Sequence, residues 1–268
     1  MWNAFLRSVG AQALRGGPAK NGERGAGIIH KKEDTTMRYK DFEHIISGER
    51  MSRYVQACGG DTRKAMTLYR LNLQLSQELF TIISCFEIAL RNAINQVLTA
   101  RLGAEWLKDS IMPSGIFTIR NTHKTYDIIN YAYQKLTHEH SYTHTKLIAE
   151  MEFGIWKYMF SPAQFNQTGR VLLRAFPNKE RSTAEIQYNH SYIFNELDKI
   201  NTMRNRIAHH EPVCFYLQDP VIDTSHALGI YLKMQRLFAW MGIDSHSLLY
   251  GLDHVQQVCR KVNELKTI

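Results

Sequence analysis

The chain has 268 residues, of which 44% are hydrophobic, 11% aromatic and 22% charged. That composition fits a soluble globular protein with material for a buried core, and excludes a disordered or fibrous one. No run of about 18 or more apolar residues occurs, which predicts no membrane-spanning helix. The four cysteines, Cys58, Cys85, Cys214 and Cys259, are far apart and form no CxxC pair. This argues against a disulfide framework or zinc knuckle and for free thiols in a reducing cytoplasm. Net charge is +8 with a pI near 9.3. The basic excess suits a polyanionic partner such as RNA, although a moderately basic surface without such a partner fits the charge equally well.

Residues 1–36 differ from the rest of the chain. They are rich in Gly, Ala and Arg and hold six Lys/Arg against three acids, which leaves +5 on the remainder. The segment resembles a mitochondrial transit peptide; vector sequence, or translation begun upstream of an internal start at Met37, explains it as well. Its one short apolar patch offers little core, so a non-structural leader is expected.

From Met37 onward the apolar spacing is helical. Helices are predicted over 40–46 and 49–57, the second stopped by Gly59-Gly60. Asp61 is a plausible N-cap for the longest element, 62–102, which ends at Gly103. Its apolar residues recur at three- and four-residue steps from Leu68 to Leu98, with more on flanking faces, so it should be central and wrapped by others. Further helices are predicted from 114 or 117 to 136, and over 143–160, 162–175, 192–210, 225–241 and 245–265. There is no useful period-two run, no Asn-Gly hairpin and no internal repeat. The predicted fold class is all-α, with residues 37–268 as a single helical domain.

The most informative stretch is MRNRIAHHEP, residues 203–212. An Arg-x4-His pair is expected about 0.8 times by chance in this chain, but requiring Asn directly after the arginine lowers this to roughly 0.04. On a helix Asn205 and His209 share a face, whereas Arg204 and His209 lie about 140° apart, a gap that an arginine's long stem can cross. Pro212 should keep Glu211 out of the α region and end the helix near His210. Two readings are open. The cations merely complement the carbonyls of a helix end, or they form a catalytic set. In the second, an imidazole moves the proton of a 2′-hydroxyl or of a leaving 5′-oxygen. A guanidinium then holds the phosphate and stabilises the charge that develops on it. DNA lacks the 2′-hydroxyl, so this chemistry selects RNA.

RNRIAH resembles the R-[polar]-x3-H signature of HEPN-domain ribonucleases, and MRNRIAHHEPV resembles its form in Abi-like proteins of the AbiD/AbiF abortive-infection type. The segment RYVQACGGDTRKAMTLYRLNLQLSQELFTIISCFEIALRNAIN is similar to that family's long N-terminal helical region, and MEFGIWKYMF to its central Phe-Gly-aromatic segment. The similarity runs from about Met37 to the C-terminus. It implies an all-α, HEPN-like helical bundle with additional helices, found in bacterial phage-defence or toxin–antitoxin settings. It further implies metal-independent RNA cleavage by Arg204 and His209 with Asn205 in support, and ends bearing a 2′,3′-cyclic phosphate and a 5′-hydroxyl. Some relatives are associated with a neighbouring small RNA, so a non-catalytic module holding a small regulatory or antitoxin RNA is the alternative. A purely structural interaction protein is the third. HEPN ribonucleases pair two motifs across one cleft; with a single Arg-Asn-x3-His here, a homodimer is implied. No cofactor, metal or membrane partner is expected.

Secondary candidates surround this core set. Arg206 and His210 flank the catalytic residues as supporting or RNA-binding groups. Glu87 and Arg91, four apart on the long helix, read first as a partly buried ion pair; with Asn92, they read second as contacts near the cleft. His138, His140 and His144 could offer metal ligands if the last two shared a helical face, but no cysteine and only Glu139 stands nearby. Arg170, Arg174, Lys179 and Arg181, with Tyr188, His190 and Tyr192 shortly after, could track single-stranded RNA by phosphate contact and stacking, or form a solvated loop face. No P-loop, GxGxxG, HExxH or GxSxG is present, so nucleotide hydrolysis, dinucleotide redox, zinc proteolysis and serine-hydrolase chemistry lack support.

Overall fold

The computed structural model describes residues 37–216 and 219–266. The expected leader over 1–36 lies outside the described residues, and those from Arg38 onward fall in one compact unit. The fold is all-α, and the β pairing among the described residues is confined to an isolated bridge between Phe215 and Ile222. The helices are α1 (Tyr39–Ile46), α2 (Gly48–Ala57), α3 (Thr62–Leu102), α4 (Trp106–Asp109), α5 (His123–His138) and α6 (His144–Glu150). They continue with α7 (Phe153–Tyr158), α8 (Pro162–Gln167), α9 (His190–Ala208), α10 (Ser225–Trp240), α11 (Ser245–Leu248) and α12 (Val255–Asn263).

Helix α3 organises the molecule. Asp61 Oδ1 accepts from the Arg63 and Lys64 N–H groups, both at 3.0 Å, satisfying donors that the first turn cannot use. Gly103 ends the helix at φ 105°, a conformation open to glycine. Leu68, Leu75, Leu79, Ile82, Phe86, Leu90, Ile94 and Leu98 are fully buried, each stabilising the fold by about 1.5–3 kcal/mol. They meet α2, α7, α9, α10 and α12 among others; Phe86, for example, packs edge-on against Phe238 of α10 with centroids 5.2 Å apart. By length and composition α3 is the one described helix apolar enough to cross a membrane. Here its apolar face is the core of the bundle.

Four predicted helices are shorter than the pattern suggested. The helix expected from 114 or 117 begins only at His123, after a 3-10 turn over Arg120–Thr122. At Gly115 the chain folds back so closely that a Cβ would stand 2.4 Å from the Ser110 carbonyl oxygen. The expected 143–160 helix is two, α6 and α7, because Met151 and Glu152 are extended (ψ 128° and 164°). That break buries both Met151 and Phe153. The expected 162–175 helix stops at Gln167, where Gly169 and Arg170 both take positive φ, and resumes as a 3-10 turn over Leu172–Ala175. The expected 245–265 helix is interrupted around Gly251, at φ 73°.

Candidate active site

Helix α9 carries the motif. It starts two residues before the expected position, capped by Asn189 Oδ1, which accepts from the Tyr192 N–H at 3.1 Å. Ile193, Leu197, Ile200 and Met203 bury its inner stripe, and this leaves the motif residues at the helix end on its outer and lateral faces. The helix closes before Pro212 can act. His209 is the cap, and His210 turns left-handed at φ 57°. The Glu211 N–H donates to the Arg206 carbonyl at 2.8 Å and the His210 N–H to the Ile207 carbonyl at 3.0 Å, the paired bonds of a Schellman ending.

Three side chains pin this reversal. Asn72 of α3, itself buried, accepts from the Val213 N–H at 2.8 Å. Arg206 donates to the Pro212 carbonyl at 2.7 Å. Arg50 of α2 donates to the His210 carbonyl at 2.9 Å. The result is a cleft of about 470 Å³ between the two segments. Ser47, Glu49, Arg50 and Arg53 line one side and His209, His210 and Glu211 the other. Two arginines and two histidines thus line the same space. Of the two carboxylates, Glu211 lies 3.3 Å from Arg206.

Arg204 stands on the other flank of α9, against α3. Burial raises the Glu87 carboxyl above its ordinary value; the charge of Arg204, then of Arg91, pulls it back, Glu152 adds repulsion, and the Phe153 N–H lowers it. The expected Glu87–Arg91 ion pair does not close to 4.0 Å, so Glu87 is shared between two guanidiniums. Arg91 is half-buried, with its Nε unpartnered, and Asn92 is exposed. Asn205 and His209 are exposed on their common face. No hydrogen bond joins Arg204 to His209 among the described residues.

The remaining candidates fall elsewhere. His140 sits in a turn at φ 50° and His144 opens α6, so they share no helical face. The His144 ring lies 3.0 Å from Asn95 Oδ1 and edge-on to Trp106, and burial lowers its pKa. No group of three His, Cys, Asp or Glu among the described residues is placed to hold a metal. Arg170, Arg174 and Arg181 are exposed, Arg170 bonded to Asn166 Oδ1 at 2.9 Å, and Lys179 donates to the Glu180 carbonyl at 3.0 Å. The aromatics expected to stack bases beside them are used in the core. Tyr188 packs on Tyr192 and Trp240, and His190 stacks on Phe165 at 4.4 Å. The cysteines are free, and burial pushes the Cys214 thiol up to about 12, which removes it as a nucleophile.

Arg50 and Arg53 were not singled out by the sequence. Arg50 reaches the motif by a contact across 160 residues of chain and Arg53 lines the same cleft, and no local pattern around them signals it.

Fold and site together define an all-α protein with an arginine- and histidine-lined cleft at the end of a capped helix. A family model described as Abi-like protein matches residues 36–214, about two thirds of the chain, and the chain belongs to that family. The match includes α2, α3 and the whole motif; α10–α12 lie beyond it, so the similarity covers less of the C-terminal region than the resemblance implied. Comparison with curated proteins and with solved structures returns no match. Membership suggests abortive-infection phage defence as the setting.

Proposed function

We propose that this Abi-like protein is a metal-independent endoribonuclease of the HEPN type, acting in the cytoplasm in abortive-infection or toxin–antitoxin defence. The observation that carries the reading is where the Arg-Asn-x3-His signature falls: at a helix end that opens His209 onto a cleft also lined by Arg50 and Arg53. In this reading Arg50 and Arg53 hold the RNA backbone as planar fork donors. His209 moves the proton of the 2′-hydroxyl or of the leaving oxygen. The 2′-oxygen attacks phosphorus, the bond to the 5′-oxygen breaks, and that oxygen takes up a proton. The products are a 2′,3′-cyclic phosphate and a 5′-hydroxyl. Arg204 stabilises the negative charge that builds on the phosphoryl oxygens. Glu87 and Arg91 fix its position from α3, and Asn205 orients the imidazole or the RNA. The contacts that Arg204 and His209 lack in the free protein are made through the substrate.

The test is cleavage of RNA in EDTA by wild type and His209→Ala, with analysis of the product ends. The expected result is cyclic phosphate ends from wild type and a loss of about 10²-fold or more in rate for the variant. A folded His209→Ala protein that still cuts would sink the assignment. Intact RNA bound by both proteins would make the cleft a binding module instead.

A further inference from the structure

Beside the His209 cleft lies a second cavity of about 190 Å³, lined by Arg206, Phe215, Tyr216, Asp223, Ser225 and His226. It is smaller than the roughly 300–1,000 Å³ of a site for a drug-sized molecule and has room for a single nucleobase-sized group. The two spaces share a wall. Arg53 lines the cleft and stacks 4.3 Å above the Phe215 ring, which lines the cavity. Two backbone bonds frame it: the Tyr216 N–H donates to the Val221 carbonyl and the Asp223 N–H to the Cys214 carbonyl, both at 2.9 Å. Phe215 is buried, edge-on to Tyr54 at 5.0 Å, while Tyr216 stays 53% exposed. Arg206, a residue of the motif itself, has a buried Nε with no hydrogen-bond partner, Glu211 Oε2 standing 3.3 Å away in poor alignment.

We propose that this cavity is a base pocket that accepts a guanine of the RNA lying in the His209 cleft, and the proposal rests on RNA occupying that cleft. Tyr216, 53% exposed beside the buried Phe215, supplies ring surface for a base turned out of the strand. Asp223 beside Arg206 and His226 gives the lining an acceptor as well as donors, which a base edge can match and a phosphate, which only accepts, cannot. The Ser225 hydroxyl and N–H hold the Asp223 carboxyl below its ordinary value and keep it ionised, the N–H donating at 2.6 Å. An ionised carboxylate only accepts. Guanine presents two N–H donors side by side on its Watson–Crick edge; uracil presents one, and adenine and cytosine place an unprotonated ring nitrogen there. Arg206 and His226 add donors for the base's own acceptors.

The experiment uses the full chain and four 2′-O-methyl oligouridine hexamers carrying a central G, A, C or U, which no 2′-hydroxyl attack can cleave. Affinity is read by fluorescence anisotropy. The expected result is tighter binding of the G hexamer by about tenfold or more, collapsing to within about twofold in Asp223→Asn. That variant keeps an acceptor for the Ser225 N–H, and circular dichroism checks its fold. Tyr216→Ala, a change outside the core, should weaken the G hexamer several-fold and leave the other three alone. Equal binding of all four, binding of none, or a G preference that survives in folded Asp223→Asn overturns the proposal. A folded Tyr216→Ala that holds the G hexamer as tightly as wild type overturns it too. The two readings fail separately. G-selective binding without cleavage of ordinary RNA removes the nuclease and keeps the pocket, whereas cleavage without base preference does the reverse.

Discussion

His210 carries a conformational cost next to the residue proposed to do the chemistry. A left-handed backbone at a residue with a Cβ costs about 1 kcal/mol relative to glycine, and helix ends of this type usually place glycine there. Here a histidine occupies the position at φ 57°, with Arg50 donating to its carbonyl. The geometry separates the two adjacent imidazoles. His209 is the cap residue, with ordinary φ, and shares a face with Asn205; His210 is the pivot of the turn. His210→Gly should therefore raise Tm by about 2–4 °C and lose far less cleavage than His209→Ala. Thermal melts alongside single-turnover cleavage check both halves. If His210→Gly destroys cleavage as thoroughly as His209→Ala, the roles of the two histidines have been assigned the wrong way round. The sequence made this turn only partly legible. Pro212 predicted an end to the helix near His210, but the Schellman bonds close it two residues earlier, and nothing in the residue types marks a non-glycine pivot.

Helix α9 is held to α10 by one buried carboxylate. Glu196, with a side chain only 4% exposed, meets Lys199 at 2.7 Å, Lys233 at 2.9 Å and Arg236 at 3.1 Å. Burial pushes its carboxyl up, but the hydrogen bonds and charges of Lys199 and Lys233 outweigh it and hold the group below its ordinary value. A depressed folded-state pKa means the contribution to stability is present above the unfolded carboxylate value of about 4.3. It is lost as pH falls through the folded-state value. Glu196→Gln should lower stability near neutral pH by about 2 kcal/mol, less than for a fully buried pair because the cations are partly solvated. Its Tm should also fall less steeply than wild type between pH 5 and 3. Melts across that range decide it, and parallel curves would show that Glu196 does not control acid sensitivity. The same contrast between local and tertiary causes explains what the chain revealed about its helices. Thr62–Leu102 was legible because apolar spacing, the Asp61 cap and Gly103 all point the same way. The break at Met151-Glu152 was not, because no glycine or proline makes it; the burial of Met151 and Phe153 does. Glu196 itself was passed over, as a carboxylate on a helix reads as solvated until three cations arrive from two helices.

One chain offers one Arg-Asn-x3-His set, while general acid–base cleavage of RNA moves two protons, one from the nucleophile and one to the leaving group. A single imidazole cannot stand on both sides of an in-line displacement at once. The candidate site agrees with this shortage. Arg204 lies on the α3 flank of the helix, and His209 opens on the α2 side, without direct contact. A second copy of the chain that brought its own motif to the same phosphate would supply the missing imidazole, and the active species should then have twice the 31.1 kDa of one chain. Subunit mixing tests more than mass. If each active site needs His209 from both copies, adding His209→Ala protein to a fixed amount of wild type should depress activity by capturing wild-type chains in dead mixed pairs. Activity would then fall in proportion to the wild-type fraction, because random pairing leaves that share of the wild-type chains in wild-type pairs. If each chain works alone, the added variant should change nothing beyond competition for substrate, and activity per wild-type chain stays constant. The distinction requires chains that exchange, so the mixtures are equilibrated before assay and their mass distribution is followed by native mass spectrometry. A loss proportional to the wild-type fraction, with mixed pairs visible, supports the shared site. A constant rate with mixed pairs visible sinks it and returns the whole of the proton transfer to groups of one chain, where Glu49 and Glu211, the carboxylates lining the same cleft as His209, are the candidates for the second role.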